Sequence, residues 1–197
     1  MLVEELLHSD YRKLKFINRF SGQFLVKNET DVDHVWEMIS MALYLVPKWN
    51  ESLNYKLDLQ NIIYRIVVHD LDESVTSDIP RTFKYHNPAF TEAVKNTVND
   101  IMSERFNPSI ISDIKSAKDF YNEEGLVVSI LDVVQVSLKY ADEIMNCGNN
   151  SIKHELLGFN IEVLNKLINK LEKSKFHDLS EILIEFIKNI LNDLNQL

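Results

Sequence analysis

Apolar residues recur every three or four positions along most of this chain, with polar residues between them. That spacing is the helical period, and it sets the expected elements. The first run covers 3–20 and stops at Ser21-Gly22. A second opens at Thr30, which with Asp33 three residues on forms a plausible N-cap pair, and is expected to end about Val46, before Pro47. The third covers 57–72, with Ile62, Ile63, Ile66 and Val67 as its buried stripe. An irregular connection over 74–88 then holds Pro80 and Pro88. An amphipathic helix over 91–106 follows, turning Val94, Val98, Ile101 and Met102 inward. The run over 123–145 is apolar on most of its surface, through Leu126-Val127-Val128 and Ile130-Leu131, so it predicts a helix packed on several sides. After the turn Cys147-Gly148-Asn149-Asn150, two amphipathic helices are expected over 151–173 and 179–197. No stretch makes a convincing strand, and there is no internal repeat or low-complexity tract. The pattern predicts an all-α, single-domain bundle over 1–197, with 151–197 completing the bundle or a dimer interface.

Composition changes this picture only in its choice of partners. With 197 residues, 45% hydrophobic and 26% charged, the chain reads as an ordinary soluble globular protein. Only 4 Gly and 4 Pro punctuate it, which suits long helices. A net charge of −9 disfavours a nucleic-acid polymer or an anionic membrane as partner. An anionic substrate would therefore need a local cationic pocket. The single cysteine, Cys147, allows no intramolecular disulfide and fits a reducing compartment, so a cytoplasmic location is expected. The acidic N-terminal stretch does not read as a signal peptide, and no run of eighteen apolar residues predicts a membrane span.

Candidate chemistry is concentrated at the end of the third helix, in VVHDLDESVTSDIP. His69, Asp70 and Glu73 stand at i, i+1 and i+4, so a continuous helix would project them from one side of its last turn. Taken alone they also fit a solvated helix end. His34 lies one turn into the second helix, above Met38, Met41 and Leu45, where a histidine is more often a packed core residue than a ligand. Asp132 is harder to place in an inert core. It lies between Val128 and Val136 in a run with few cations near it, and burying a lone carboxylate costs several kcal/mol unless it is paired or holds a metal. One hypothesis uses all four residues: two imidazoles and two carboxylates from three helices as ligands of one divalent ion. Mixed N/O ligation suits Co²⁺, Mn²⁺, Fe²⁺ or Zn²⁺ better than Mg²⁺.

The order His34, His69-Asp70, Asp132 resembles the H…HD…D signature of HD-domain metal-dependent phosphohydrolases. LKFINRF (14–20), ETDVDH (29–34), HDLDESVTSDIP (69–80) and FKYHN (83–87) are similar to corresponding blocks of the YfbR-like 5′-deoxynucleotidases, over most of the first 145 residues. The resemblance implies a single HD-type helical domain. It places His34, His69, Asp70 and Asp132 on the family's metal ligands and Glu73 on its catalytic acid. Asp78 falls on a second essential carboxylate near the sugar and the reacting water. Arg19 falls on the phosphate contact, with Lys84 as an addition. Phe20 stands where the family has Trp, whose ring helps to exclude ribose. The implied activity is hydrolysis of (deoxy)ribonucleoside 5′-monophosphates to nucleoside and phosphate, by a homodimer. The alternatives are another HD activity, on nucleoside di- or triphosphates or cyclic nucleotides, and a non-catalytic helical interaction protein with a relic site. Few basic residues are expected around the site's mouth, which disfavours the larger substrates. A second pair, His177-Asp178, reads as a helix start, with Asp178 as N-cap and Glu181 as its partner.

Overall fold

The computed structural model describes residues 2–79 and 87–197. Ten α-helices are present among these residues: α1 (Leu2–Leu7), α2 (Asp10–Lys13), α3 (Asp31–Ser52), α4 (Leu59–Val68), α5 (Glu73–Thr76), α6 (Pro88–Arg105), α7 (Pro108–Ser116), α8 (Glu123–Cys147), α9 (Gly158–Leu171) and α10 (His177–Leu194). The only β pairing among them is an isolated bridge between Asn18 and Thr30. The fold is all-α, as the apolar period predicts.

Helix α8 is the axis of the bundle. Leu126, Val127, Val128, Ile130, Leu131 and Val134 are fully buried along it. Against it pack Met38, Ala42 and Val46 of α3, Ile62 and Ile66 of α4, Leu164 of α9, and Leu183 and Ile187 of α10. The two C-terminal helices thus share one apolar core with the elements that carry the site. A smaller cluster of Leu14, Ile17, Val68, Leu71, Met102, Ile114 and Ala117 joins the N-terminal segment to α6 and α7.

Several boundaries differ from the sequence expectation, each for a local reason. The expected helix over 3–20 is broken into α1, α2 and a 3-10 turn, Leu14–Phe16, since Ser9 is extended at φ −60, ψ 146. Beyond the turn the chain straightens: Asp31 N donates to Ile17 O at 3.1 Å and Arg19 N to Glu29 O at 2.9 Å. Helix α3 does not stop at Pro47 but runs on to Ser52. Proline removes one N–H from the ladder, and burial of Val46 and Trp49 on either side of it holds the helix together. Its start follows expectation, with the Thr30–Asp33 capping box fully formed. The expected helix over 57–72 is shorter, capped by Asp58 and ending at Val68, so His69 and Asp70 lie on the turn between α4 and α5. The apolar period within 108–116 is a separate helix that the expectation left unassigned. Residues 150–157 begin the expected helix over 151–173 as 3-10 and π turns. The N-cap of α10 is Phe176 rather than Asp178, which sits inside the first turn without a capping bond.

Candidate active site

Helix α3 brings His34, the turn after α4 brings His69 and Asp70, and α8 brings Asp132. Each of His34, His69 and Asp70 offers a ligand atom within 4.8 Å of the others. Asp132 Oδ1 lies 3.3 Å from His34 Nε2, and Asp70 Oδ2 lies 2.9 Å from His69 Nε2. All four are buried.

Hydrogen bonding fixes how the two imidazoles face. His69 Nδ1 donates to the Ile66 carbonyl at 2.6 Å. His34 Nδ1 donates to Gln135 Oε1 at 2.6 Å. In the neutral rings both Nε2 atoms therefore present lone pairs, only 3.2 Å apart. Burial first, and the nearby Arg19 second, lower the His34 pKa, so its neutral form is favoured. Two lone pairs at that distance repel unless a cation lies between them. Two imidazoles with two carboxylates beside them are a fitting donor set for a divalent transition ion.

Cationic side chains already neutralise part of this cluster. Lys118 Nζ bridges the carboxylates, 3.0 Å from Asp70 Oδ1 and 3.1 Å from Asp132 Oδ2. It is the long-range partner that a buried Asp132 requires. Gly125 in the first turn of α8 helps to place it: a Cβ there would stand 2.6 Å from the Asp119 carbonyl, next in the chain to Lys118. Ser129 Oγ donates to the Lys118 carbonyl at 2.9 Å from one turn further along α8. Burial would raise the Asp70 and Asp132 pKa values. The neighbouring groups together outweigh it, His69, Lys118 and Arg19 around Asp70 and Lys118 and His34 around Asp132, so both are held well below the usual carboxylate range.

Arg19 reaches the same place from the straightened segment. Its Nη1 is 3.3 Å from Asp70 Oδ2 and 3.6 Å from Asp31 Oδ1, and its Nε is 3.3 Å from Glu29 Oε1. The next residue, Phe20, has φ 59, a conformation costly outside glycine. Asp78 helps to hold it there by accepting from Phe20 N at 2.8 Å. The Phe20 ring lies 5.6 Å from that of Tyr140, and the Arg19 guanidinium 5.5 Å from its centre. Glu143 on α8 clasps the same loop, accepting from Val26 N at 2.7 Å and Lys27 N at 2.8 Å.

Glu73 opens α5, not the last turn of α4. Burial, then the charges of Asp70 and Asp31, push its pKa up to about 10. Burial also raises Asp31, to about 6, against the pull of Arg19. Glu73 Oε2 and both Asp31 oxygens are buried without a well-formed hydrogen bond. Glu73 is thus a protonated acid at neutral pH in a site without a metal ion.

A cavity of about 840 Å³ opens over these groups, lined by Arg19, His69, Asp70, Glu73, Asp78 and Asp132 on one side. Helices α6 and α7 close the other side with Val94, Val98 and Met102, and add Lys95 and Lys115. The expectation of few basic residues around the site is therefore corrected: with Lys118, three lysines line the cavity. They come from segments far from the motif and carry no spacing signal. Gln135, Glu29 and Asp31 were likewise not singled out in the sequence. Lys84 lies outside the described residues. His177 and Asp178 line a separate, smaller cavity with Tyr55 and Glu123.

Comparison with known proteins agrees with this geometry. The family described as 5′-deoxynucleotidase YfbR-like matches residues 8–167. A Yersinia pestis (strain Pestoides F) protein named 5′-deoxynucleotidase is 26% identical over 144 residues, 70% of this chain and 73% of that one. An HD-domain phosphohydrolase from Listeria innocua superposes with a TM-score of 0.67 at 17% identity, covering 98% of both chains. The HD phosphohydrolase DatZ of cyanophage S-2L, solved with dA and one catalytic Zn²⁺ ion, superposes with a TM-score of 0.63 at 12% identity, covering 93% of this chain and 95% of that one. The two structural matches show a shared fold. The family match spans every motif of the site from Arg19 to Asp132, and this chain belongs to the YfbR-like 5′-deoxynucleotidase family.

Proposed function

We propose that this protein is a metal-dependent phosphohydrolase that removes the 5′-phosphate from (deoxy)ribonucleoside 5′-monophosphates. The observation that carries the reading is the convergence of His34 and His69 Nε2, 3.2 Å apart, on two buried carboxylates at the floor of a cavity reached by Arg19. The relatives named 5′-deoxynucleotidase and the dA-bound neighbour support the substrate class.

His34, His69, Asp70 and Asp132 would hold one divalent ion, Co²⁺, Mn²⁺, Fe²⁺ or Zn²⁺ in preference to Mg²⁺. Such an ion lowers the pKa of its water and polarises a phosphoryl oxygen. The remaining work falls to side chains of this chain. Arg19 neutralises phosphate charge, and its buried guanidinium, held by Glu29, Asp31 and Asp70, meets the phosphate already oriented. Glu73, whose carboxyl is pushed toward its acid form by burial and the neighbouring carboxylates, would give its proton to the leaving 5′-oxygen. Asp78, tied to Phe20 N, would align the sugar end, and Phe20, whose ring packs on Tyr140, is carried forward as the group that crowds the 2′ position. Lys84 is carried forward as an additional phosphate contact.

We read 1–197 as one HD domain, since α9 and α10 share the core of α3, α4 and α8. A homodimer is carried forward with it, supported by the exposed apolar stripe Val32, Trp36 and Leu43 on α3. The single Cys147 supports a reducing compartment such as the cytoplasm. No described helix is long and apolar enough to cross a membrane.

The deciding experiment measures phosphate release from nucleoside mono-, di- and triphosphates after loading with each divalent ion. Monophosphates should be the best substrates. Lys95 and Lys115 on the cavity wall favour a second reading, a di- or triphosphate substrate. Faster turnover of those compounds, or release of pyrophosphate or triphosphate, would select it.

A further inference from the structure

Gln135 is fully buried on α8, one helical turn beyond Asp132. Its amide has no freedom to flip. The Nε2 end donates to Glu37 Oε2 at 2.6 Å and to Glu29 Oε2 at 3.2 Å, and both acceptors are carboxylate oxygens. The Oε1 end must then face His34, where it accepts from Nδ1 at 2.6 Å. A reversed amide would set an oxygen against two carboxylates and leave His34 Nδ1 facing an NH₂ group. A carbonyl-type oxygen at that point admits only one neutral His34 tautomer, with the proton on Nδ1 and the lone pair on Nε2. That lone pair is directed at His69 Nε2 and Asp132 Oδ1.

We propose that Gln135 is a positioning residue that locks His34 in the metal-accepting tautomer and orientation, with Glu29 and Glu37 anchoring its amide. The inference rests on the reading of His34 as a metal ligand. His69 obtains the same service from a backbone carbonyl, that of Ile66, which no substitution can remove. The His34 side is thus the one whose metal affinity a side chain sets. Groups that support a ligating histidine in this way are commonly worth about 10–100-fold in metal affinity.

The test titrates Co²⁺ into chelator-treated wild type, Gln135→Met and the double variant Gln135→Glu/Glu37→Gln, followed by the visible absorption of the bound ion, with helicity checked by circular dichroism. Methionine keeps the volume but offers no comparable acceptor, and the double variant keeps an oxygen facing Nδ1 while turning the Glu37 contact into a donor. Gln135→Met should bind Co²⁺ about 10–100-fold more weakly with an altered spectrum, and the double variant should bind more tightly than Gln135→Met. Equal affinity in wild type and Gln135→Met, or a double variant no better than Gln135→Met, would overturn the proposal. Wild type that binds no Co²⁺ would instead sink the reading of the metal site beneath it. An independent measurement needs no variant: nitrogen NMR of the histidine rings in the metal-free protein should show His34 protonated on Nδ1, and a ring with its only proton on Nε2 would refute the lock.

Discussion

Glu73→Gln should make the metal-free protein more stable, by an amount that grows with pH. In the unfolded chain the carboxyl ionises at about its ordinary value of 4.5, whereas in the folded site it keeps its proton up to about 10. The folded pKa is the higher one, so the folded state binds more protons between these values. Stability must therefore fall as pH rises through that window. Each pH unit above 4.5 costs about 1.4 kcal/mol for one proton. At pH 7 that is two and a half units, or about 3.5 kcal/mol as an upper bound, a large share of a domain stability of about 5–15 kcal/mol. Glutamine is neutral at every pH, has nearly the same shape, and can offer an N–H where the acid offers O–H. Urea unfolding of chelator-treated wild type and Glu73→Gln at pH 4, 6, 7 and 8 measures the difference. It should be near zero at pH 4 and reach about 2–3 kcal/mol at pH 7. A divalent ion would lower the Glu73 pKa, so saturating metal should shrink the gap. A difference independent of pH would refute the reasoning, because Glu73 would then titrate alike in both states.

Three further outcomes follow from the same geometry. Asp132→Ala should keep its helicity but lose bound metal and activity, and full metal occupancy by mass spectrometry would remove Asp132 from the ligand set. Lys118→Met strands the carboxylates of Asp70 and Asp132 in the metal-free protein, at a cost of about 3–5 kcal/mol for a broken buried pair. Its thermal midpoint should fall and its gain on adding metal should exceed that of wild type; an unchanged midpoint would contradict the pairing. Wild type should prefer deoxyribonucleotides by about tenfold to a hundredfold, the cost of an unpaired 2′-hydroxyl, and Phe20→Trp should widen the dAMP/AMP ratio of kcat/KM. Complete rejection of ribonucleotides by wild type would show that Phe20 is not the weak point.

What the sequence made legible was whatever is written in local spacing. The all-α architecture and the Thr30 cap follow from a 3.6-residue period and a three-residue offset, and the buried run around Asp132 announces its own expense. Boundaries shifted where local geometry and tertiary contacts overrode the period: the extended Ser9 broke the first expected helix, the Ile17–Asp31 pairing ended it early, and core burial on both sides carried α3 through Pro47. The residues around the candidate ligands were illegible for another reason. Lys118 meets Asp70 across 48 positions, and Gln135 meets His34 across 101. Neither separation has a period to betray it. Asp31 is by position a first-turn acid of α3, and only its complete burial shows that it belongs to the site.

The clasp on the Arg19 loop has a consequence for the order of events during synthesis. Val26 and Lys27 are held by Glu143, and Phe24 by Asn149, more than a hundred residues downstream. His34 likewise waits for Gln135. A ribosome that has released α3 through α7 has therefore released most of the candidate site residues but not the helix that clasps the Arg19 loop and orients His34. The arrangement of these groups can be completed only when α8 emerges and docks. Such distant closures are slow relative to helix formation. Assembly of the site should be a late, all-or-none event, so a nascent chain would not bind or turn over free nucleotide before its fold is committed.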